Sequence, residues 1–484
     1  MEVRSESDLP LCVDLDGTLI RTDTFVEGAL RLVKRRPFDL TKLLWMILIH
    51  GRAPAKRWLF TRVQLRVDLL PYCEQVLKAI RQARLDRRTV YLVTGADTAV
   101  GEAVANHLQL FDGVFGSDAK TNLTGRSKRR LIVSRFGEMG FEYIGNSRSD
   151  IPVWEASARP ILAHAGSLDQ KLTKLRPESL VLCKSTGCFK WIVSSMRVHQ
   201  WVKNLLLLLP LMASHRVMEF ELLKNSIVGL VSFSLAASGL YIANDLFDLD
   251  SDRQHPVKRH RPFASGNGSP LSGIAIGIVL ISSSLAIAWF QPNQFFWVIV
   301  SYLSITVGYT LFLKRLVFLD TITLSMLFTL RVIGGYEATG LVYSSWLLAL
   351  SMFLFLSLAL LKRFTEILSL VETEKVSTSG RGYHISDLSL TQTFGVVSGY
   401  MAALVLSLYI DSSRALEQYK SPFLLWLWCP LYLYYISRIW IIAGRGEMDS
   451  DPILFTLKDR TTYVILFLAF LVFLGAIFSP FSGA

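Results

Sequence analysis

The chain has 484 residues, 51% of them hydrophobic, with a mean hydropathy of +0.38 and a formal net charge of +12. That length accommodates two or more domains, and five cysteines without a CxxC pair exclude a disulfide scaffold, Cys183 and Cys188 giving only a weak metal signal. A positive balance suggests nucleic acid in a soluble protein, but here Lys and Arg fall in short loops between apolar runs, which assigns them to membrane orientation and excludes a nucleic-acid partner.

Met1 to Pro10 is polar and acidic and lacks the apolar core of a cleavable signal, so the front of the chain is expected to stay in the cytoplasm. Pro10 to Leu19 then reads as a short buried strand ending on Asp14, Asp16 and a turn at Gly17. One aspartate in such a pair can attack phosphorus, the second can protonate the leaving oxygen, and both can hold Mg²⁺. An isolated Asp-x-Asp is usually only a turn. Here three further stations follow in order: the strand Thr89 to Gly95 ending on Thr94, Lys128 after Gly125-Arg-Ser, and the strand from Phe141 ending in Gly145, Asn146 and Asp150.

Strand and helix alternate, which predicts an α/β domain on a parallel sheet. Thr22 to Arg88 is predicted to fold as a helical cap over the site. It carries the basic run Arg31 to Arg36 and the apolar run Leu43 to Ile49, too short to cross a bilayer. That pair either presses on an anionic membrane surface or builds a buried cap core.

These stations resemble the haloacid dehalogenase phosphohydrolase family over residues 8–165. The resemblance implies a Rossmann-like fold with Asp14 as nucleophile, Asp16 as acid/base, and Thr94 and Lys128 holding the phosphoryl group. Mg²⁺ is implied at Asp14, Asp16, Asn146 and Asp150. Members of the family commonly carry Gly-Asp where this chain has Gly145-Asn146, so a weaker metal site is expected, and a silent domain kept for binding or regulation is the alternative.

Residues 1–168 are thus assigned to the phosphatase-like domain, 169–188 to a linker of mixed polarity, and 189–484 to a transmembrane domain. Phe189 to Asn204 reads as an amphipathic interfacial helix with aromatic and basic anchors. Nine spans are expected, centred near residues 210, 233, 280, 303, 330, 357, 401, 431 and 471, which makes this domain all-α and polytopic. Inner loops carry Arg253, Lys258, Arg259, Arg261, Lys314, Arg315, Lys362, Arg363, Lys375, Arg381, Arg438, Arg445, Lys458 and Arg460, against only Arg216, Lys224, Arg414 and Lys420 outside, which places the N-terminus inside.

The densest chemistry follows the second expected span. Asn244, Asp245, Asp248 and Asp252 are spaced to share one helix face, Asp250 points away, and Lys258, Arg259 and Arg261 come next. Three like charges on one face repel unless a cation sits among them. Carboxylates suit Mg²⁺, and the cations suit phosphate oxygens. A solvated acidic helix end beside a positive-inside loop is the plainer alternative.

Asn-Asp-x-x-Asp-x-x-x-Asp followed by Asp-Arg-x-His-Pro-x-Lys-Arg-x-Arg-Pro resembles the first signature of the UbiA-type intramembrane prenyltransferase superfamily, in the wording of its decaprenyl-phosphate phosphoribosyltransferase branch. Gly308 to Asp320 resembles the second signature, with the single acid Asp320 where aromatic-prenylating members pair two. Arg331, a costly charge inside a span, and Lys362-Arg363 also resemble that branch. The resemblance implies a bacterial plasma-membrane enzyme that uses Mg²⁺ at Asp245, Asp248 and Asp252 to transfer phosphoribose from phosphoribosyl pyrophosphate to a polyprenyl phosphate. Asn244, Lys258, Arg261, Lys314, Arg315, Asp320, Lys362 and Arg363 are candidate substrate contacts. Lys203, Asn204 and Arg331 are further candidates, the first and last for the lipid phosphate. The front domain would then remove the 5-phosphate of the product, fusion raising its effective concentration. Two alternatives stand beside this: a prenyltransferase joining a prenyl diphosphate to an aromatic or small acceptor, and a membrane-anchored regulatory protein with degenerate sites.

Overall fold

The computed structural model describes residues 9–119, 121–164, 179–183, 188–292, 294–372, 381–448, 452–456 and 458–478. Most of the expected linker, 169–178 and 184–187, lies outside the described residues. The chain divides into two compact units, one formed by Met1–Val198 with Tyr241–Val279 and the other by His199–Leu240 with Leu280–Ala484.

In the first unit a six-stranded parallel sheet has the order β3-β2-β1-β4-β5-β6, with β1 Leu11–Val13, β2 Val90–Asp97, β3 Gly113–Ser117, β4 Glu142–Gly145, β5 Arg159–His164 and β6 Leu180–Cys183. Alternate side chains of β1 feed two cores, as the two-residue strand period requires. Leu11 and Val13 pack with Val76, Ile80 and Val100, while Cys12 packs with Ile132, Tyr143 and Trp154 on the other face. Because β1 is central and buried on both faces, its carboxyl end delivers Asp14 to the crevice where ligands of open parallel sheets bind.

Strand β6 departs from expectation, since Leu180–Cys183 falls inside the stretch read as linker. Four apolar residues are too few to announce a strand. Pairing with β5 supplies the missing context.

The cap consists of helices Thr24–Arg35, Asp39–His50 and Arg52–Phe60 around Leu32, Leu43, Ala55, Leu59 and Val63. Of the apolar run, Leu43 is buried in that core, whereas Leu44, Trp45, Leu48 and Ile49 are exposed, Leu48 to 82%. Most of the helix therefore faces outward.

Among the described residues, six helices are long and apolar enough to cross a membrane: Phe220–Phe247, Pro270–Trp289, Ser345–Leu370, Ile385–Ile410, Pro422–Gly444 and Arg460–Phe478. Phe295–Leu311 is apolar but shorter, and Leu319–Thr339 carries buried Asp320 and Arg331. The run expected to span near residue 210 is instead a 3₁₀ stretch, Val198–Leu208, and a short helix, Leu209–Ala213. Pro210 in the first turn of that helix cannot donate to a helix continuing through it. The expected interfacial helix also breaks, at Arg197, whose φ is +51°.

Candidate functional site

Two centres belong to the first unit. At the carboxyl end of β1, Asp14 lines a cavity of about 960 Å³ together with Asp16, Lys56, Lys128 and Asn146. Lys128 Nζ donates to Asp14 Oδ1 and to the Tyr143 hydroxyl, both at 2.9 Å, and Tyr143 donates to Asp150 Oδ1 at 2.9 Å. Asp150 is further engaged by the backbone N–H groups of Asn146 and Ser147 and by the Ser147 hydroxyl. It is a buried anchor that fixes the loop after β4 and holds Lys128 upright.

Asp16 accepts from the Thr24 backbone N–H at 2.8 Å and the Thr24 hydroxyl at 3.2 Å, which ties it to the start of the cap. Burial pushes its carboxyl up to about 8, helped by the nearby charges of Asp23 and Asp14. Asp14 is pushed up to about 6 by burial, against the pull of Lys128. The two neighbours are thus separated into a protonated acid and a carboxylate near neutral pH, the division a general acid and a nucleophile require.

Asn146 Oδ1 accepts from the Thr18 hydroxyl at 3.2 Å, and its amide packs on Gly17, where an added Cβ would fall 2.2 Å from Nδ2. Gly17 also has φ +72°, so this turn needs glycine for both space and backbone conformation. Thr94 is fully buried, its oxygen accepts from the Ala96 N–H, and the wall at that station is Gly95 instead. A cap residue not expected from sequence enters here: Lys56 donates to the Gly95 carbonyl at 2.5 Å. The opposite wall comes from Trp191 and from Gly266, Asn267, Ser269, Pro270 and Ser272, which follow the acidic motif in the chain. Gly266, at φ +74°, lets that loop approach Arg21, whose Cβ would lie 2.5 Å from an added one.

The second centre is the acidic motif. Helix Phe220–Phe247 ends just before Asp248 and a short helix, Leu249–Gln254, resumes. Asp245 and Asp252 are buried and share Arg261, whose Nη1 lies 3.1 Å from Asp245 Oδ1 and 2.7 Å from Asp252 Oδ2. Arg197, which sequence reading left among the interfacial anchors, donates to Asp245 and lies over the Tyr241 ring. Asp248 turns the other way, 3.1 Å from Lys34 Nζ, and Asp250 is gripped by Arg31 at 3.0 and 2.5 Å. Lys258 sits on an exposed 3₁₀ turn, Lys258–His260. The helix break explains the divergence: three acids spaced for one face are split, two inward and one toward the cap.

In the second unit, Asp320 is buried and accepts from Arg363 Nε at 2.5 Å and from the Tyr383 hydroxyl at 2.6 Å. Arg363 also reaches Glu366 and the Tyr309 hydroxyl, and Arg381 reaches Glu366. Tyr383 and Arg381 carried no site signal in the sequence. Arg331 donates to Asn204 Oδ1 at 2.9 Å, to the Leu327 carbonyl at 2.5 Å and to the Tyr302 hydroxyl at 3.3 Å, between the rings of Phe233, Tyr302 and Phe328. Asn204 also donates to Ser234. Arg331 and Asn204 therefore cross-brace helices in a buried network, where the guanidinium is matched by partners rather than held open for an anion. Lys314 is half-buried and Arg315 exposed on the turn Leu313–Arg315; Lys203 and Lys362 are half-buried.

Both bear on metal binding. Asp14, Asp16 and the Asn146 oxygen converge on one cavity, where burial raises both carboxyls. Asp245 and Asp252 sit close enough to share one guanidinium. Both donor sets are hard oxygens and fit Mg²⁺.

The parallel-sheet α/β unit with its paired aspartates and, among the described residues, six membrane-length helices define a multi-pass membrane protein with an α/β front domain. The UbiA prenyltransferase family matches residues 206–367. The chain is 36% identical over 465 residues to Uncharacterized protein y4nM of Sinorhizobium fredii, covering 94% of this chain and 89% of that protein. It is 35% identical over 279 residues to Nodulation protein NoeC of Azorhizobium caulinodans, covering 57% of this chain and 90% of that one. Decaprenyl-phosphate phosphoribosyltransferase of Mycolicibacterium smegmatis is 29% identical over 291 residues, with 59% of this chain and 91% of that protein covered. The chain belongs to the UbiA-type superfamily of intramembrane prenyltransferases.

Proposed function

We propose that the protein transfers 5-phosphoribose from phosphoribosyl pyrophosphate to a polyprenyl phosphate, with Mg²⁺, and that the front domain then removes the 5-phosphate. The observation that carries the first step is the acidic motif flanked by Arg197 and Arg261, in a chain similar over 59% of its length to a protein named decaprenyl-phosphate phosphoribosyltransferase, of which it covers 91%. Mg²⁺ held by Asp245 and Asp252, the two acids that stay together after the helix break, would neutralise the leaving diphosphate. Arg261 exchanges its carboxylate partners for diphosphate oxygens as the donor binds, and Lys258 offers a second cation. A lipid phosphate oxygen attacks C1 of the ribose, the C1–O bond to the diphosphate breaks, and pyrophosphate leaves. The acceptor is already an anion, so no general base is needed.

In the second step Asp14 attacks the 5-phosphate while Asp16, held protonated by its burial, gives its proton to the departing ribose oxygen. Water then attacks the phosphoaspartate, Asp16 takes its proton, and phosphate leaves. Mg²⁺ at Asp14 and Asn146 would offset the charge of the phosphoryl group; Lys128 steadies the Asp14 carboxylate. A cavity walled on one side by the segment that follows the acidic motif supports a substrate delivered from that motif.

Purified protein given labelled phosphoribosyl pyrophosphate and polyprenyl phosphate should yield a ribosyl lipid. Asp245→Ala should stop all lipid labelling, and Asp14→Asn should accumulate the phosphorylated lipid. Labelling that survives Asp245→Ala refutes the first step; identical lipids from wild type and Asp14→Asn refute the second.

A further inference from the structure

Strands β5 and β6 run parallel, and their register sets His164 beside Cys183 at the carboxyl ends of both. Cys73, immediately before helix Glu74–Leu85, reaches the same point, its Sγ 3.5 Å from that of Cys183. One ligand atom from each of Cys73, His164 and Cys183 lies within 4.8 Å of the other two. Three separate elements thus deliver two sulfurs and an imidazole nitrogen to one place, a convergence invisible in the sequence because 110 residues separate the thiols.

The spacing selects the chemistry. A disulfide requires about 2.05 Å between sulfurs, whereas two thiolates on a tetrahedral Zn²⁺, each ~2.3 Å from the ion, stand ~3.8 Å apart. The observed separation is far from the first and near the second. Cys73 is fully buried and Cys183 8% exposed, so neither is positioned as an exposed nucleophile. His164 and Cys183 both line the large cavity, so a fourth coordination position faces space open to water.

We propose that Cys73, His164 and Cys183 form a site for one soft divalent cation, Zn²⁺ foremost, completed by a water from the cavity. As the ion binds, each thiol releases its proton to solvent and the two thiolates and the neutral imidazole donate to the metal, so two protons leave per ion and nothing is oxidised. The site ties the edge strand β6 and the start of helix Glu74–Leu85 to β5. Its ligands are softer than the carboxylates of Asp14 and Asp16, so the two positions select different ions.

The test is a Co²⁺ titration of the full-length protein, purified under reducing conditions and stripped with chelator. Expected is one Co²⁺ per chain giving a near-ultraviolet sulfur-to-metal charge-transfer band and strong visible bands, both abolished by one equivalent of Zn²⁺. Co²⁺ on the Asp14 carboxylates gives no sulfur band, which separates the sites. Cys183→Ser should weaken the charge-transfer band about twofold, Cys73→Ser with Cys183→Ser should remove it, and Cys429→Ser should leave it unchanged. Wild-type protein that shows no sulfur band, a band that survives the double substitution, or a Cys73–Cys183 disulfide in anaerobically purified protein would each overturn the proposal.

Discussion

Arg253 holds Glu27 through two parallel hydrogen bonds, Nη1 to Oε2 at 3.0 Å and Nη2 to Oε1 at 2.5 Å, across 226 residues of chain. Glu27 lies on the helix that begins at Thr24, the residue that binds Asp16, and Arg253 follows Asp252. The first helix of the cap is therefore fastened to the acidic motif by a buried, bidentate pair, with Arg31–Asp250 and Lys34–Asp248 beside it.

Removing one partner of such a pair strands a buried charge. Glu27→Ala is expected to cost the first unit about 3–5 kcal/mol. Arg253→Ala should cost a similar amount, and the double substitution less than the sum. Urea unfolding followed by a probe on the cap measures all three.

The Asp320–Arg363 pair makes a parallel case in the second unit. Lysine cannot reproduce the fork by which Arg363 reaches Asp320, Glu366 and Tyr309 together. Arg363→Lys is therefore expected to lower thermal stability in detergent measurably, and Arg363→Ala by about 3–5 kcal/mol. If the lysine variant melts with wild type, the fork adds nothing.

At Asn146 a neutral amide stands among carboxylates. Asn146→Asp adds a charged ligand and should lower the Mg²⁺ concentration for half-maximal phosphatase activity several-fold, leaving the Mg²⁺ dependence of lipid labelling untouched. Phosphatase activity that appears only in the variant would mean the natural domain is silent.

The raised carboxyls of Asp14 and Asp16 also set a pH dependence. Asp16 moves from 3.8 to about 8 on folding, so the folded protein holds a proton that the unfolded chain has released across that window. Stability in chelator should be fullest below the unfolded value and fall as pH rises toward the folded one, by on the order of a few kcal/mol. Asp16→Asn should flatten the slope, and added Mg²⁺ should restore stability at the alkaline end. Differential scanning fluorimetry across the window reads both.

The phosphatase-like centre was legible because each station sits where an apolar strand stops, and a strand end is a local signal. Asp14, Asp16, Lys128 and Asn146 all line or approach one cavity, as their order along the chain suggested. Thr94 was misplaced because the strand runs on through Asp97, which turns the hydroxyl into the sheet. The acidic motif was read as one helical face, and a break at Asp248 divided it. Tyr383 on Asp320, Arg197 on Asp245 and Glu27 on Arg253 were beyond sequence reading, since each partner lies tens to hundreds of residues away and only packing brings them together.

The outward face of helix Asp39–His50 has a practical result. Cut from the chain and placed in plain aqueous buffer, a front fragment carries Trp45, Leu48 and Ile49 into water on one side, with Phe38 at the helix start. Such a surface adheres to its own copies. A phosphatase assay on the excised fragment will thus report aggregates unless detergent is present or Leu48 and Ile49 are made polar, and poor turnover there says little about the enzyme in its own chain.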